Sequence, residues 1–366
     1  MKEERIFTEN PEEDLWRELL QFSYKANIER YFSEHSITPD ANVVDCIIGS
    51  VLQAYEYYKA SVNVNLQISP LLMYYGTTNL LYGMSSLMDG KIHEIHRHGM
   101  KPNASTINNG YIADATVNFE DPIHGGIHVF CRNLGYTEDL TKSGPWKLKD
   151  FLSSIAEISY DFKKCYSVAM ANTIMLDVFN TPNGKIERVY FNSSNRANIE
   201  EALSRVQDFN KSYLPAQIGK DRIGEEYFIL RHKMVSKDLS ASSFSGQPYL
   251  QAAIEKNGRF YTLPTLMNYY VALFIMGSLC RYHPEIWSPF VMNDTTGERL
   301  LIERLLYHAK RIIPNLVLDS LYGYENTFVT EKYSIIDTVK LVGEHEVQEL
   351  VKKEVYKQSH STSLRR

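Results

Sequence analysis

The sequence predicts a mainly α, α+β protein in which a helical core brackets a mixed, partly β-stranded middle segment. Three observations predict it. Apolar residues recur at helical spacing over residues 11–34, 41–60 and 69–88. From Gly99 to Leu134 the chain turns rich in Asn, Gly and Thr, and its apolar residues fall into short runs. Helical spacing then returns over 264–281 and 296–312.

Asn10 is placed to cap the first helix, with Pro11 in its first turn and Glu13 three residues beyond the cap. Leu15, Trp16, Leu19, Leu20, Ile28, Tyr31 and Phe32 form its apolar face. Thr38-Pro39-Asp40 breaks the chain, and a second helix from Ala41 to Ala60 carries Val44, Ile47, Ile48, Val51, Leu52, Tyr55 and Tyr58. Ser69-Pro70 opens a third helix that runs to Met88. In the middle, Val117–Phe119 and Ile127–Cys131 read as strands, and Lys147–Ser159 as a helix. Lys185–Asn192 alternates behind the turn signal Pro182-Asn183-Gly184, which predicts a strand. A helix over Ala197–Tyr213 and strands at Glu225–Arg231 and Gly258–Leu263 complete the middle. The final helices fall at Pro264–Arg281, Thr296–Ile312 and Ser334–Lys357, before a disordered tail over 358–366. The chain therefore divides into a helical region over 1–98, a mixed region over 99–263 and a helical region over 264–357. All three are expected to form one compact unit.

A length of 366 residues allows a substantial core. The net charge of −5 argues against broad electrostatic attachment to nucleic acid or anionic membrane. The longest apolar run, Tyr269 to Cys280, is too short to span a bilayer. Charged residues at the start have no apolar run behind them, so no secretory signal is expected. Cys46, Cys131, Cys165 and Cys280 are widely spaced, as befits reduced, mostly buried thiols of a cytoplasmic protein. Tyrosine is abundant, at 25 residues, which implies many contacts with one apolar and one polar side.

No phosphate-binding glycine loop, nucleophile elbow or kinase signature occurs. The chemistry-bearing candidates are dispersed. In the third helix Leu72, Tyr75, Asn79 and Tyr82 make a polar stripe, while Gly76 and Gly83 permit close approach of a neighbour. A buried Asn needs several partners, and supplying them creates a polar site. Five histidines lie within 93–128 (His93, His96, His98, His124 and His128), but Gly125-Gly126 oppose a helix there, so a loop without metal is expected. Pro284 stops the late helix near Tyr282 and leaves Arg281 and His283 at its C-terminus. An always-charged Arg ending an apolar helix must meet an anion, either Glu285 or a bound phosphate or carboxylate.

The segment Pro70…Tyr74-Tyr75-Gly76…Asn79-Leu80, the pair His98-Gly99 and the segment Arg281-Tyr282-His283-Pro284…Trp287 resemble the YaaC-like family over residues 10–340. The resemblance implies a bacterial intracellular protein and supplies no reaction. The double-Tyr helix followed by His also looks like the helical core of the HEPN superfamily, many members of which are ribonucleases of toxin or phage-defence systems. Those enzymes pair an Arg with a His four to six residues on, and Arg30…His35 has that spacing. It departs from the pattern by preceding the double-Tyr helix and by lacking the polar residue that often follows the Arg.

Together these readings favour a non-catalytic binding or regulatory module without a cofactor. Tyr75, Asn79, His98, Arg281 and His283 would hold a small anionic ligand or a protein partner, and a homo-oligomer is compatible with the composition. The alternative is a HEPN-type ribonuclease acting on RNA through Arg30 and His35.

Overall fold

The computed structural model describes residues 3–166, 171–181, 184–234 and 236–330. The helix expected at Ser334–Lys357 and the tail over 358–366 lie outside them. Half of the described residues are helical and a fifth are in strands, which is the α+β class expected. The described residues separate into two compact units, one holding residues 3–15 and 323–330 and the other the described residues between 16 and 322.

In the smaller unit, β1 (Glu3–Phe7) pairs in parallel with β14 (Glu325–Val329). The helix that follows β1, α1 (Pro11–Leu20), starts where the sequence predicts. The Glu13 amide donates to Asn10 Oδ1 at 3.3 Å, and Asn10 Nδ2 donates back to Glu13 at 3.1 Å.

The larger unit is built on long helices. After α2 (Lys25–Glu34) come α3 (Val43–Val62) and α4 (Ser69–Asp89), packed antiparallel. Gly76 and Gly83 set their separation. A Cβ at Gly76 would lie 2.8 Å from the Tyr58 ring, and one at Gly83 would lie 3.2 Å from Ser50 Cβ. The glycines thus do what their spacing suggests. Against α4 runs α10 (Thr265–Tyr282), every residue of which from Leu266 to Leu279 is buried. Such an all-round apolar helix occupies the middle of a core. Two further helices, α11 (Pro284–Asn293) and α12 (Glu298–Tyr322), pack around it.

The middle region supplies small sheets and short helices. A three-stranded antiparallel sheet joins β2 (Met100–Asn103), β3 (Thr116–Phe119) and β4 (Trp146–Lys147). Helix α5 (Gly126–Asn133) falls between β3 and β4, and α6 (Leu148–Leu152) and α7 (Ser159–Cys165) follow β4. A second sheet orders β10 (Ala241–Ser242), β11 (Pro248–Gln251) and β5 (Thr173–Met175). The largest sheet is four-stranded and antiparallel, in the order β6 (Asp177–Thr181), β7 (Gly184–Phe191), β9 (Glu226–Arg231) and β8 (Gln217–Lys220). One face of it shares an apolar cluster with α8 (Arg196–Ser204), through Val189, Phe191, Phe228, Leu230, Ile199 and Leu203. The short α9 (Phe209–Ser212) precedes β8, and a hairpin of β12 (Ile254–Lys256) and β13 (Arg259–Tyr261) leads into α10.

Several expected boundaries shift. Ile127–Cys131, expected as a strand, lies in helix α5; the run is buried throughout, and period alone does not separate a buried helix from a buried strand. The first helix breaks at a 3-10 turn over Gln21–Ser23. The helix expected to Tyr213 breaks at Asp208, whose φ is 59°. The expected 147–159 helix is broken: α6 covers only Leu148–Leu152, a 3-10 turn follows at Ala156–Ile158, and α7 begins at Ser159. Conversely, α12 continues through Pro314 to Tyr322, carried by burial of Ile312, Ile313, Val317 and Leu318 on either side. Among the described residues no helix is long and apolar enough to cross a membrane.

Candidate functional site

The aromatic face of α4 meets the end of α10. Tyr74 is buried and stacks on Tyr270, with ring centroids 5.5 Å apart, and meets Phe274 edge-on. Its hydroxyl lies 2.6 Å from His98 Nδ1 and 3.5 Å from the Tyr270 hydroxyl. Burial, reinforced by Tyr270, raises the Tyr74 pKa well above the ordinary phenol value, so the group stays protonated. Burial likewise raises Tyr270, to about 12.

His98 is held by its backbone. The Gly126 amide donates to the Arg97 carbonyl and the Ile127 amide to the His98 carbonyl, at 2.9 and 3.1 Å, so the first turn of α5 fixes the loop. Gly99, with φ of 73°, passes Gly125 so closely that a Cβ on it would stand 2.7 Å from Gly125 Cα. A Cβ on Gly125 would meet Gly99 Cα at the same 2.7 Å, so the crossing requires glycine on both strands of chain. Desolvation lowers the His98 pKa, and the charge of Arg281 lowers it further. The ring is therefore neutral at pH 7, and its Nδ1 shares a hydrogen bond with the Tyr74 hydroxyl.

Arg281, the penultimate residue of α10, donates from Nη1 to the Tyr75 hydroxyl at 2.5 Å. Its guanidinium also lies 4.9 Å from the Tyr282 ring. Tyr75 in turn stacks on Tyr57 of α3, with centroids 5.8 Å apart. Arg281 is exposed, so the arrangement is an open surface site at the solvent end of the buried helix α10. Among the described residues no carboxylate pairs with Arg281. Glu285, the internal candidate, instead takes His283 Nδ1 at 3.1 Å.

The structure thus joins Tyr75 with Arg281, and couples His98 to Arg281 electrostatically and to α4 through Tyr74. It does not bring Asn79 or His283 to the guanidinium. The Asn79 amide donates to the Tyr75 carbonyl, one turn back on its own helix, at 3.0 Å. His283 faces Glu285 and a narrow crevice beside Pro102, Asn103 and Thr116. The participants missed from sequence are Tyr74, noted only as part of the double-Tyr segment, and Tyr270, which lies in the apolar run Tyr269 to Cys280. The available signal is the hydroxyl on a core ring, which needs a partner wherever it is buried.

Arg30 and His35 are each bound locally. Arg30 Nη2 donates to Asn27 at 2.9 Å, and His35 stacks on Tyr31 at 4.0 Å with Nδ1 2.9 Å from the Tyr31 carbonyl. The remaining histidines disperse: His96 stacks on His124, His93 meets Asp89 at 3.3 Å, and His128 is buried in α5. One trio among the described residues, Glu187, His232 and Asp238, has donor atoms within 4.8 Å of one another. Lys185 Nζ already stands 2.7 Å from Glu187 and 2.9 Å from Asp238, so an ammonium supplies the positive charge there. Tyr213 donates to the second Glu187 oxygen at 2.6 Å, which completes a network that runs from buried Glu187 to exposed Asp238. Of the four free thiols only Cys131 is fully buried; the other three are half-buried, a smaller share than the sequence suggests.

The YaaC-like Protein family matches residues 13–321. The chain belongs to the YaaC-like family. That match spans the double-Tyr helix, His98 and Arg281, the positions that carry the resemblance. No curated protein and no solved structure matches the chain.

Proposed function

We propose that this YaaC-like chain is a cytoplasmic, non-catalytic binding or regulatory module whose Tyr75–Arg281 surface takes a small anion. One observation carries the reading: a permanently charged, exposed guanidinium is oriented by a tyrosine hydroxyl, while the carboxylate nearest in sequence is engaged by His283. Guanidinium donors in a fixed fork suit phosphate and carboxylate oxygens. His98, kept neutral by burial and by Arg281, adds a polar imidazole to the surroundings of the positive charge. The hydroxyl that does lie beside His98, that of Tyr74, is buried and held protonated, so the pair offers no ready nucleophile, which favours recognition over turnover.

Ligand-induced thermal shifts across a panel of nucleotides, phosphates and carboxylic acids test the proposal. A stabilising ligand is expected, and its effect should vanish in Arg281→Ala. A panel that shifts nothing, or a shift that survives Arg281→Ala, overturns it. An acidic segment of a protein partner is the other occupant that the same guanidinium suits, and Arg281→Ala would release it equally. The ribonuclease alternative makes a separate demand: RNA cleavage and growth arrest that disappear in His35→Ala. The local engagement of Arg30 and His35 lends it no support.

A further inference from the structure

At the edge of the four-stranded sheet, away from every residue of the Tyr75–Arg281 site, lies a half-open cavity of about 200 Å³. Its wall combines Lys163 of α7, Asp177 of β6, and Arg188 and Tyr190 of β7 with the apolar side chains Ile174 and Ile199. The charged groups are not used up by one another. Asp177 and Arg188 are directly opposite in the antiparallel register of β6 and β7, yet among the described residues they form no ion pair. Lys163 has no carboxylate partner among those residues either.

Arg188 is the most constrained of the three. Its guanidinium lies 4.1 Å from the Phe179 ring centroid and 4.6 Å from that of Tyr227, clamped between two aromatic faces. The Arg188 Nε–H is buried without a hydrogen-bond partner among the described residues. A buried donor left unpaired is costly, and stacking on rings does not satisfy it. The clamp fixes the plane of the fork and leaves its edge for an acceptor. Lys163 is exposed along its length, but desolvation by the surrounding protein lowers the pKa of its ammonium, as expected where no anion compensates.

We propose that this cavity binds a free α-amino acid with an apolar side chain. Its carboxylate would lie on Arg188 and Lys163, its ammonium on Asp177, and its side chain against Ile174 and Ile199. The volume is smaller than that of a cofactor site and suits a ligand of this size. Two cations and one carboxylate around an apolar wall match a zwitterion better than a simple anion, which would leave Asp177 facing like charge. The inference does not depend on the Tyr75–Arg281 reading, with which it shares no residue.

Isothermal titration of the full chain with the twenty amino acids, and with the 2-oxo acids of the apolar ones, tests it. An apolar amino acid should bind, and its 2-oxo analogue, which lacks the ammonium, should bind at least about tenfold more weakly. Asp177→Asn should narrow that gap, and Arg188→Gln should abolish binding. Lys163→Gln, a change at an exposed residue of a short helix, should weaken binding without affecting the melting transition, so the test survives if Arg188→Gln disturbs the sheet. Absence of binding by any amino acid at millimolar concentration overturns the proposal. So does equal binding of amino acid and oxo acid, or affinity unchanged in both cation variants.

Discussion

Tyr74 and Tyr75 are neighbours in the chain with opposite roles. Tyr74 points into the core and its hydroxyl hydrogen-bonds a histidine; Tyr75 lies toward the surface and its hydroxyl accepts from an arginine. The two meet through electrostatics at His98, whose pKa is lowered by burial first and by Arg281 second. The sign of the consequence is definite. His98 has a folded pKa below its ordinary 6.5, so its contribution to stability is present above 6.5 and is lost as pH falls through the folded value. Protonation would also leave Nδ1 able only to donate to the Tyr74 hydroxyl. Removing the charge in Arg281→Ala should move the His98 pKa upward, toward 6.5, as followed by the imidazole proton shift in NMR titration. An unmoved titration would mean that the guanidinium is too well solvated to act on the ring, and would weaken the case for one shared surface.

At the scale of elements, the contact of α3 with α4 depends on absent side chains. A methyl at Gly76 would press on the Tyr58 ring at 2.8 Å and on Tyr57 Cβ at 3.1 Å, and Tyr58 is itself held by a 2.8 Å hydrogen bond to Thr77. Gly76→Ala is therefore expected to destabilise by about 1–3 kcal/mol, the usual range for over-packing. Gly49, in the same pair of helices, is different: a methyl added there would meet nothing within 4 Å. Gly49→Ala should stabilise by roughly 0.5–1 kcal/mol through helix propensity alone. Urea denaturation of the two variants checks both signs. The contrast matters because the sequence displays both residues as mid-helix glycines, and only the partner helix distinguishes them. Spacing makes Gly76 and Gly83 recognisable as contact residues, whereas the two breaks at Gln21–Ser23 and Asp208 leave no comparable mark.

For the larger unit as a whole, Glu298 ties the start of α12 to the middle region. It is 1% exposed, accepts the Tyr166 hydroxyl, and receives the Ala113 amide at 3.3 and 3.4 Å. Burial pushes its pKa up to about 7 from 4.5. A carboxyl raised in this way favours folding in its neutral form: the contribution is complete below about pH 4.5 and is lost as pH rises through 7. Raising the pH from about 5 to about 8 should therefore cost on the order of 2–3 kcal/mol of stability, a dependence that Glu298→Gln removes. Parallel urea curves of the two proteins at both pH values isolate it from the histidines, and identical pH profiles would refute it.

What the sequence determined by itself was the fold class, most of the long helices and the end of α10 before Pro284. These are local properties: periodicity, capping and the geometry imposed by proline act within a few residues and need no partner to be read. Tertiary structure alone decided that Ile127–Cys131 coils instead of extending, that Tyr74 rather than Asn79 reaches His98, and that Glu285 turns to His283. It alone clamps Arg188 between two rings beside Lys163 and Asp177. Each of these depends on which distant side chain arrives within hydrogen-bonding or stacking distance, and a chain's order carries no direct record of such meetings.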